Sequence, residues 1–410
     1  MKHLFSCLLL AIAFAACNND DGTDQKKLNN PYVPIQISTS EAQIVTQGNS
    51  FAYRLFDAYN EHESKLTQYV ISPLSASYAL SMLANGAAGN TQVEILNALG
   101  IGQMSMSDAN ALHQSMMERL GFMDKTAQVK IANMMWMNPT FKPFDTYKQT
   151  LQTNYAADLM QNSAATAVPV INKWCADKTN ELIDDLLNPG DIGPETRMML
   201  LNALYFKGMW SSPFDRKLTA KETFHNADGT QSTVEMMNAT GDYKYYEGKY
   251  FTLAELPYGN GAFYSQFILP AKDVSLDDCI KEFATTNWDE VDAGGSLMKL
   301  QLKMPKFKIE VNKQLNEVMQ ALGINGAFLP SADFSNLSDE PLHLGSIIQA
   351  ATFAVDEEST EAAAVTGVIM VTSAGPIVST KNFYLDRPFL FLLRERSTGA
   401  ILFMGKVAKL

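Results

Sequence analysis

Apolar residues recur along the first third of the chain with the three- and four-residue spacing of amphipathic helices. Phe51-Ala52-Tyr53-Arg54-Leu55-Phe56 and Ser75 to Ala84 are plain cases, and helical patterning dominates to about residue 120. Beyond it, apolar and β-branched runs of strand length occupy Val129–Met137, Met199–Phe206, Leu253–Leu256, Ala262–Leu269, Leu297–Met304, Phe389–Leu393 and Ile401–Val407. Helical stretches at Val170–Leu187 and Leu276–Phe283 are interspersed, and no internal repeat is visible. The mixture predicts an α+β fold with large, mainly antiparallel sheets.

Two stretches obey neither period. Residues 18–45 are rich in Asn, Asp, Lys, Gln and Pro and read as a flexible linker. As a random coil it would reach about 30 Å root-mean-square. The second stretch, VDEESTEAAAVTGVIMVTSAG at 355–375, is at odds with itself. Glu361 to Ala364 favours helix, whereas Val365 to Thr372 is β-branched and small and favours strand. No sharp turn signal divides the halves.

Composition narrows the picture. Of 410 residues 46% are hydrophobic and 19% charged, so the chain has ample material for a core. The net charge of −12, with scattered basic residues, excludes nucleic acid and anionic lipid as charge-driven partners. Lys2 and His3 precede the apolar stretch Leu4 to Phe14, which ends in Ala15-Ala16-Cys17 and is followed by Asn18-Asn19-Asp20-Asp21. That is the pattern of a bacterial lipoprotein signal at 1–17, in which the Cys17 thiol takes the lipid. The expected location is therefore an exported, membrane-anchored lipoprotein, with Asp20 and Asp21 pointing to the outer membrane and the cell surface. The globular domain is expected at 46–410. Cys175 and Cys279, both in predicted helices, are too few for a disulfide framework and are expected as free, half-buried thiols.

Enzyme chemistry finds no foothold. There is no Gly-x-Ser-x-Gly elbow, His-Glu-x-x-His pair, phosphate loop or Cys-x-x-Cys. The histidines at 3, 62, 113, 225 and 343 lie far apart without metal spacing, and Asp184-Asp185 and Asp277-Asp278 read as solvated helix faces. No catalytic residue, metal or cofactor is expected.

Several long segments, in order, carry a resemblance. They are VISPLSASYALSMLANGAAGNT (70–91), LLNALYFKGMWSSPF (200–214), PKFKIEVNKQLNEVMQALGINGAF (305–328), ADFSNLS (332–338), EESTEAAAVTG (357–367) and DRPFLFLL (386–393). From about Asn49 to Leu410 the chain resembles a serpin, a member of the serine protease inhibitor family. The resemblance implies one domain of three β-sheets and eight or nine helices with an exposed reactive-centre loop. It also implies a monomer that forms a covalent acyl complex with a target serine protease.

The same resemblance gives the self-contradicting stretch a reason. In the family it is bait: a protease cuts it, and it then inserts as a new strand into the central sheet. The hinge would be Glu357, Glu358, Ser359, Thr360, Glu361, Ala362, Ala363 and Ala364, with Ser359 where inhibitors usually carry Gly. Once inserted, alternate residues face the sheet interior. Counted from Thr360 these are Thr360, Ala362, Ala364, Thr366, Val368 and Met370, all small or apolar, while Glu361 has the opposite parity. Ser72, Ser75 and Asn202 would form the shutter where the central strands part, and Trp210 the breach above it. Gln349 stands where many members have His, so a pH-sensitive shutter is not expected. Family spacing puts the reactive bond at Ser373–Ala374, with Val371 and Thr372 as alternative cut positions. No Arg, Lys, Phe, Tyr or Leu lies nearby, so the expected targets are elastase-like enzymes. Lys381 and Arg387, the nearest basic residues downstream, lie too near the returning strand. Ala111 to Leu120 offers only Arg119 beside Glu118, so heparin activation is not expected. The alternative left open is a non-inhibitory binding or carrier member.

Overall fold

The computed structural model describes residues 29–65, 67–358 and 380–410. Helix α1 (Thr39–His62) opens on a capping box: the Ser38 side chain accepts from the Glu41 N–H, and the Glu41 carboxylate accepts from the Ser38 N–H. Strand β1 (Gln68–Ile71) leads into α2 (Pro73–Gly86), which Ser72 caps while Pro73 supplies a pre-set φ. Next come α3 (Gly89–Ala98), α4 (Met106–Leu120), β2 (Ala127–Met137), α5 (Asp145–Tyr155), β3 (Asp158–Gln161), α6 (Ala164–Lys178) and β4 (Met198–Gly208). A 3-10 turn (Arg216–Leu218) precedes β5 (Ala220–His225), β6 (Gln231–Glu247), β7 (Phe251–Tyr258) and β8 (Phe263–Pro270). Then follow α7 (Leu276–Phe283), α8 (Trp288–Gly294), β9 (Ser296–Pro305), β10 (Phe307–Gln314), α9 (Asn316–Ala321) and β11 (Ile348–Val355). Strands β12 (Lys381–Tyr384), β13 (Phe389–Glu395) and β14 (Ile401–Val407) close the chain.

The expected three sheets and eight or nine helices are present, with nine α-helices among the described residues. The largest sheet runs β1-β14-β13-β8-β7-β6-β9-β12, with β5 beside β6. A three-stranded ladder β3-β2-β4 and a two-stranded ladder β10-β11 stand apart from it. Every residue of β13 and β14 is buried, Arg394, Glu395 and Lys406 included, and the stretches Phe389–Leu393 and Ile401–Met404 read as apolar runs. An aromatic cluster fastens the β10-β11 ladder to the large sheet. Phe353 stacks on Phe391 at 4.3 Å between centroids, and Phe307 meets Phe389 edge-on at 5.6 Å. Burying each ring contributes about 1.5–3 kcal/mol.

Three expectations need correction. The linker predicted over 18–45 ends sooner, because α1 begins at Thr39 and Ile35, Ile44 and Val45 are buried. Sparse apolar residues hid a helix whose first turns bury one edge only. The helix predicted over Val170–Leu187 instead runs from Ala164 to Lys178. It stops because Asn180 and Glu181 take left-handed backbone angles (φ 54° and 60°) and the Thr179 hydroxyl bonds back to the Cys175 carbonyl. The thiols of Cys175 and Cys279 are free but fully buried, and burial pushes both up to about 12, so they are unreactive packing groups.

Candidate functional site

Strands β4 and β11 contact each other, yet no ladder joins them among the described residues. Between them opens a cleft of about 880 Å³, with Ser75, Leu80 and Leu83 of α2 as its floor and Asn202, Asn312 and Gln349 among its walls. A sheet interrupted in this way offers two facing backbone edges to a further strand.

The first turn of α2 ties both walls together. The Gln349 amide engages both backbone groups of Ser72: its Oε1 accepts from the Ser72 N–H at 3.1 Å, and its Nε2 donates to the Ser72 carbonyl at 2.8 Å. The Ser72 hydroxyl donates to the Leu402 carbonyl at 2.8 Å and accepts from the Ser75 N–H at 3.3 Å. On the other wall the Ser75 hydroxyl donates to Asn202 Oδ1. Asn202 Nδ2 donates to Asn133 Oδ1 at 2.6 Å, and Asn133 Nδ2 donates to the Tyr155 carbonyl at 2.7 Å. All these side chains are buried, so each bond satisfies a group that would otherwise cost about 1–3 kcal/mol. Widening the cleft must break either the Asn202 or the Gln349 attachment. Neither amide titrates.

At the far end of β11 the chain is latched over Asp356–Glu358. Trp210, stacked on Tyr258 at 4.3 Å, donates its indole N–H to the Asp356 carbonyl at 3.0 Å. The Phe214 N–H donates to the Glu357 carbonyl at 2.9 Å. The Glu357 side chain is buried, accepts from the Thr219 hydroxyl at 2.8 Å, and pairs with Lys306 at 3.1 Å. Desolvation pushes the Glu357 carboxyl upward, but its hydrogen bonds and Lys306 outweigh that and hold it below the ordinary range. Lys306 also reaches Glu235 at 3.3 Å, tying β6 to the same point. Where the described chain resumes, Lys381 is in β12, paired to Glu247 and in register with Leu300 of β9.

Ser72, Ser75, Asn202 and Gln349 therefore converge on one network, and Trp210 lies at the loop's root. Glu357 and Glu358 sit in the latch. Ser359, Thr360, Glu361, Ala362, Ala363, Ala364, the candidate cut residues Val371, Thr372, Ser373 and Ala374, and the lipidation residue Cys17 lie outside the described residues. Sequence reading missed Asn133, Thr219, Arg216 and Lys306. Asn133 did leave a signal, as a lone polar residue in the run IANMMWM that aligns with Asn202 across the β2–β4 ladder.

Two facing strands without a ladder between them, with the end of one held by Trp210, Phe214 and Thr219, define a class of α+β fold with an open slot beside its strands. Comparison with known proteins places the chain within it. The profile of the family Serpin (serine protease inhibitor) matches residues 46–410. Iripin-2 of Ixodes ricinus is 32% identical over 379 residues, covering 90% of this chain and 94% of that protein. The native state of Tengpin, a thermophilic serpin, superposes with TM-score 0.81 at 31% identity, covering 93% of this chain and 97% of that one. Human thyroxine-binding globulin superposes with TM-score 0.81 at 26% identity, covering 90% and 99%. The chain belongs to the serpins, a family of serine protease inhibitors.

Proposed function

We propose that this chain is a suicide substrate for serine proteases of small-residue specificity, trapping them by insertion of the cut loop between β4 and β11. The observation that carries the reading is the pair of facing strands with no ladder between them among the described residues. A strand of about a dozen residues there would add about 10–20 backbone hydrogen bonds, each worth about 0.5–1.5 kcal/mol net. The sum rivals the whole stability of a typical domain, about 5–15 kcal/mol. The uninserted form is then metastable, and the attachments at Ser72, Ser75 and the Glu357 latch contribute to its barrier. Cleavage frees the loop, and insertion competes with hydrolysis of the acyl-enzyme. The serine that reacts belongs to the protease. This chain supplies the ester carbonyl and the pull.

Target choice follows from Ile369-Met370-Val371-Thr372-Ser373-Ala374. A trypsin-like pocket needs a cation and a chymotrypsin-like pocket favours a ring, whereas a shallow elastase-type pocket accepts Val, Thr or Ser. The carrier reading is supported by the likeness to thyroxine-binding globulin and by nothing in the loop, which lacks bulky or charged inward residues. The test is a denaturing gel after mixing with elastase-like, subtilisin-like and trypsin-like enzymes. A band at the summed mass less the released C-terminal fragment is expected with the elastase-like enzyme, and that fragment should start at Thr372, Ser373 or Ala374 by mass spectrometry. Simple proteolysis without that band, or capture of trypsin alone, overturns the reading. Anchoring through Cys17 on a bacterial membrane belongs to the same proposal and rests on the leader pattern.

A further inference from the structure

The connection from β4 to β5, residues 209–219, runs along the last described residues before the loop and grips them at four points. Three are made by buried or backbone groups: Trp210 on the Asp356 carbonyl, the Phe214 N–H on the Glu357 carbonyl, and Thr219 on the Glu357 carboxylate. The fourth is different in kind. Arg216, in the 3-10 turn, pairs with Glu358 at 3.3 Å, and the two side chains are 68% and 30% exposed. The turn itself is fixed, since Asp215 caps it by accepting from the Lys217 N–H at 2.9 Å.

Glu358 is the outermost residue of the latch. Its neighbour Glu357 is saturated by Thr219 and Lys306, and Lys306 is already shared with Glu235. Among the described residues, Arg216 is the cation paired with Glu358, and Glu358 is the carboxylate paired with Arg216. The pair therefore acts on the hinge without competing for the buried latch beneath it.

We propose that Arg216 is a positioning residue, whose ion pair with Glu358 restrains the hinge in its uninserted course and so sets the balance between trapping and simple turnover of a protease. The proposal rests on the strand-insertion reading above. Because the pair is exposed, dissolved salt weakens it, while the buried contacts beneath feel salt far less. Raising ionic strength in the wild type thus loosens the outer grip more than the hydrogen bonds of Trp210, Phe214 and Thr219 and favours insertion over hydrolysis. Exposed pairs of this kind shift an equilibrium by about 1.5- to 5-fold.

The test compares full-length wild type with Arg216→Gln, Glu358→Gln and the swapped double variant Arg216→Glu/Glu358→Arg, at low and at high salt. Two quantities are read: amide exchange at Phe214, whose N–H is bonded to Glu357, and the ratio of captured to released protease. At low salt each single variant is expected to exchange faster at Phe214 and to capture a larger share, by about 1.5- to 5-fold. High salt should bring the wild type to the level of the single variants and leave these unmoved. The swapped variant should return towards the wild type. Unchanged Phe214 exchange in both single variants, or an equal salt response in wild type and Arg216→Gln, overturns the proposal. The exchange readout needs no protease. If no variant forms a covalent complex, the trapping reading fails while Phe214 still decides whether Arg216 grips the hinge.

Discussion

His113 lies fully buried against Tyr78, with ring centroids 4.6 Å apart, and its Nδ1 is 3.4 Å from the Tyr155 hydroxyl. Burial lowers its pKa from 6.5 to about 3, so the folded chain keeps it neutral. The sign follows directly. Between pH 6.5 and about 3 the unfolded chain binds a proton that the folded chain refuses, so stability falls as pH drops through that window. The slope from this one group is at most about 1.4 kcal/mol per pH unit. The thermal midpoint of the wild type is expected to fall more between pH 7 and pH 4.5 than that of His113→Phe, which carries no proton there; equal falls would exclude the effect. Other single residues differ in how far the sequence disclosed them. Ser72, Ser75, Asn202 and Trp210 stand inside long motifs and could be placed by number, and Gln349 by the family's spacing. The Thr219–Glu357 contact spans 138 residues, and no local pattern reports a partner that distant.

Among the elements, strands buried on both faces are the easiest to read, because Phe389–Leu393 of β13 and Ile401–Met404 of β14 are apolar at every position. Strand β6 (Gln231–Glu247) was not foreseen. It is 17 residues long but largely exposed or half-buried, and its polar residues resemble a loop until pairing with β5 and β9 is known. The hinge stretch shows the converse case, since its mixed propensities become sensible only if it serves as loop first and strand later. One substitution separates these roles. Thr360→Arg would put a charge on the inward parity at the first step of insertion, where burial costs several kcal/mol. Loop cleavage should persist while the covalent complex is lost, turning the inhibitor into a substrate. An undiminished yield of complex on a denaturing gel would refute the insertion step.

At the scale of the whole molecule, the order of motifs disclosed the fold, whereas the opening between β4 and β11 appears only in three dimensions. The leader adds a further expectation: palmitate labelling should mark the wild type and miss Cys17→Ser, and equal labelling of both would remove the anchor from the proposal. The gap in the central sheet also bears on how such a molecule would be used. Under the trapping proposal, filling it once would release the stored free energy, and no step in that cycle would restore the empty form. Each copy would therefore be spent by a single encounter, whether that encounter captures a protease or merely cuts the loop. A population fixed to a surface would behave as a reservoir that drains in proportion to attack. It would give full protection until the last copies are consumed and none afterwards, so the dose at which protection fails would report how many copies the cell had made.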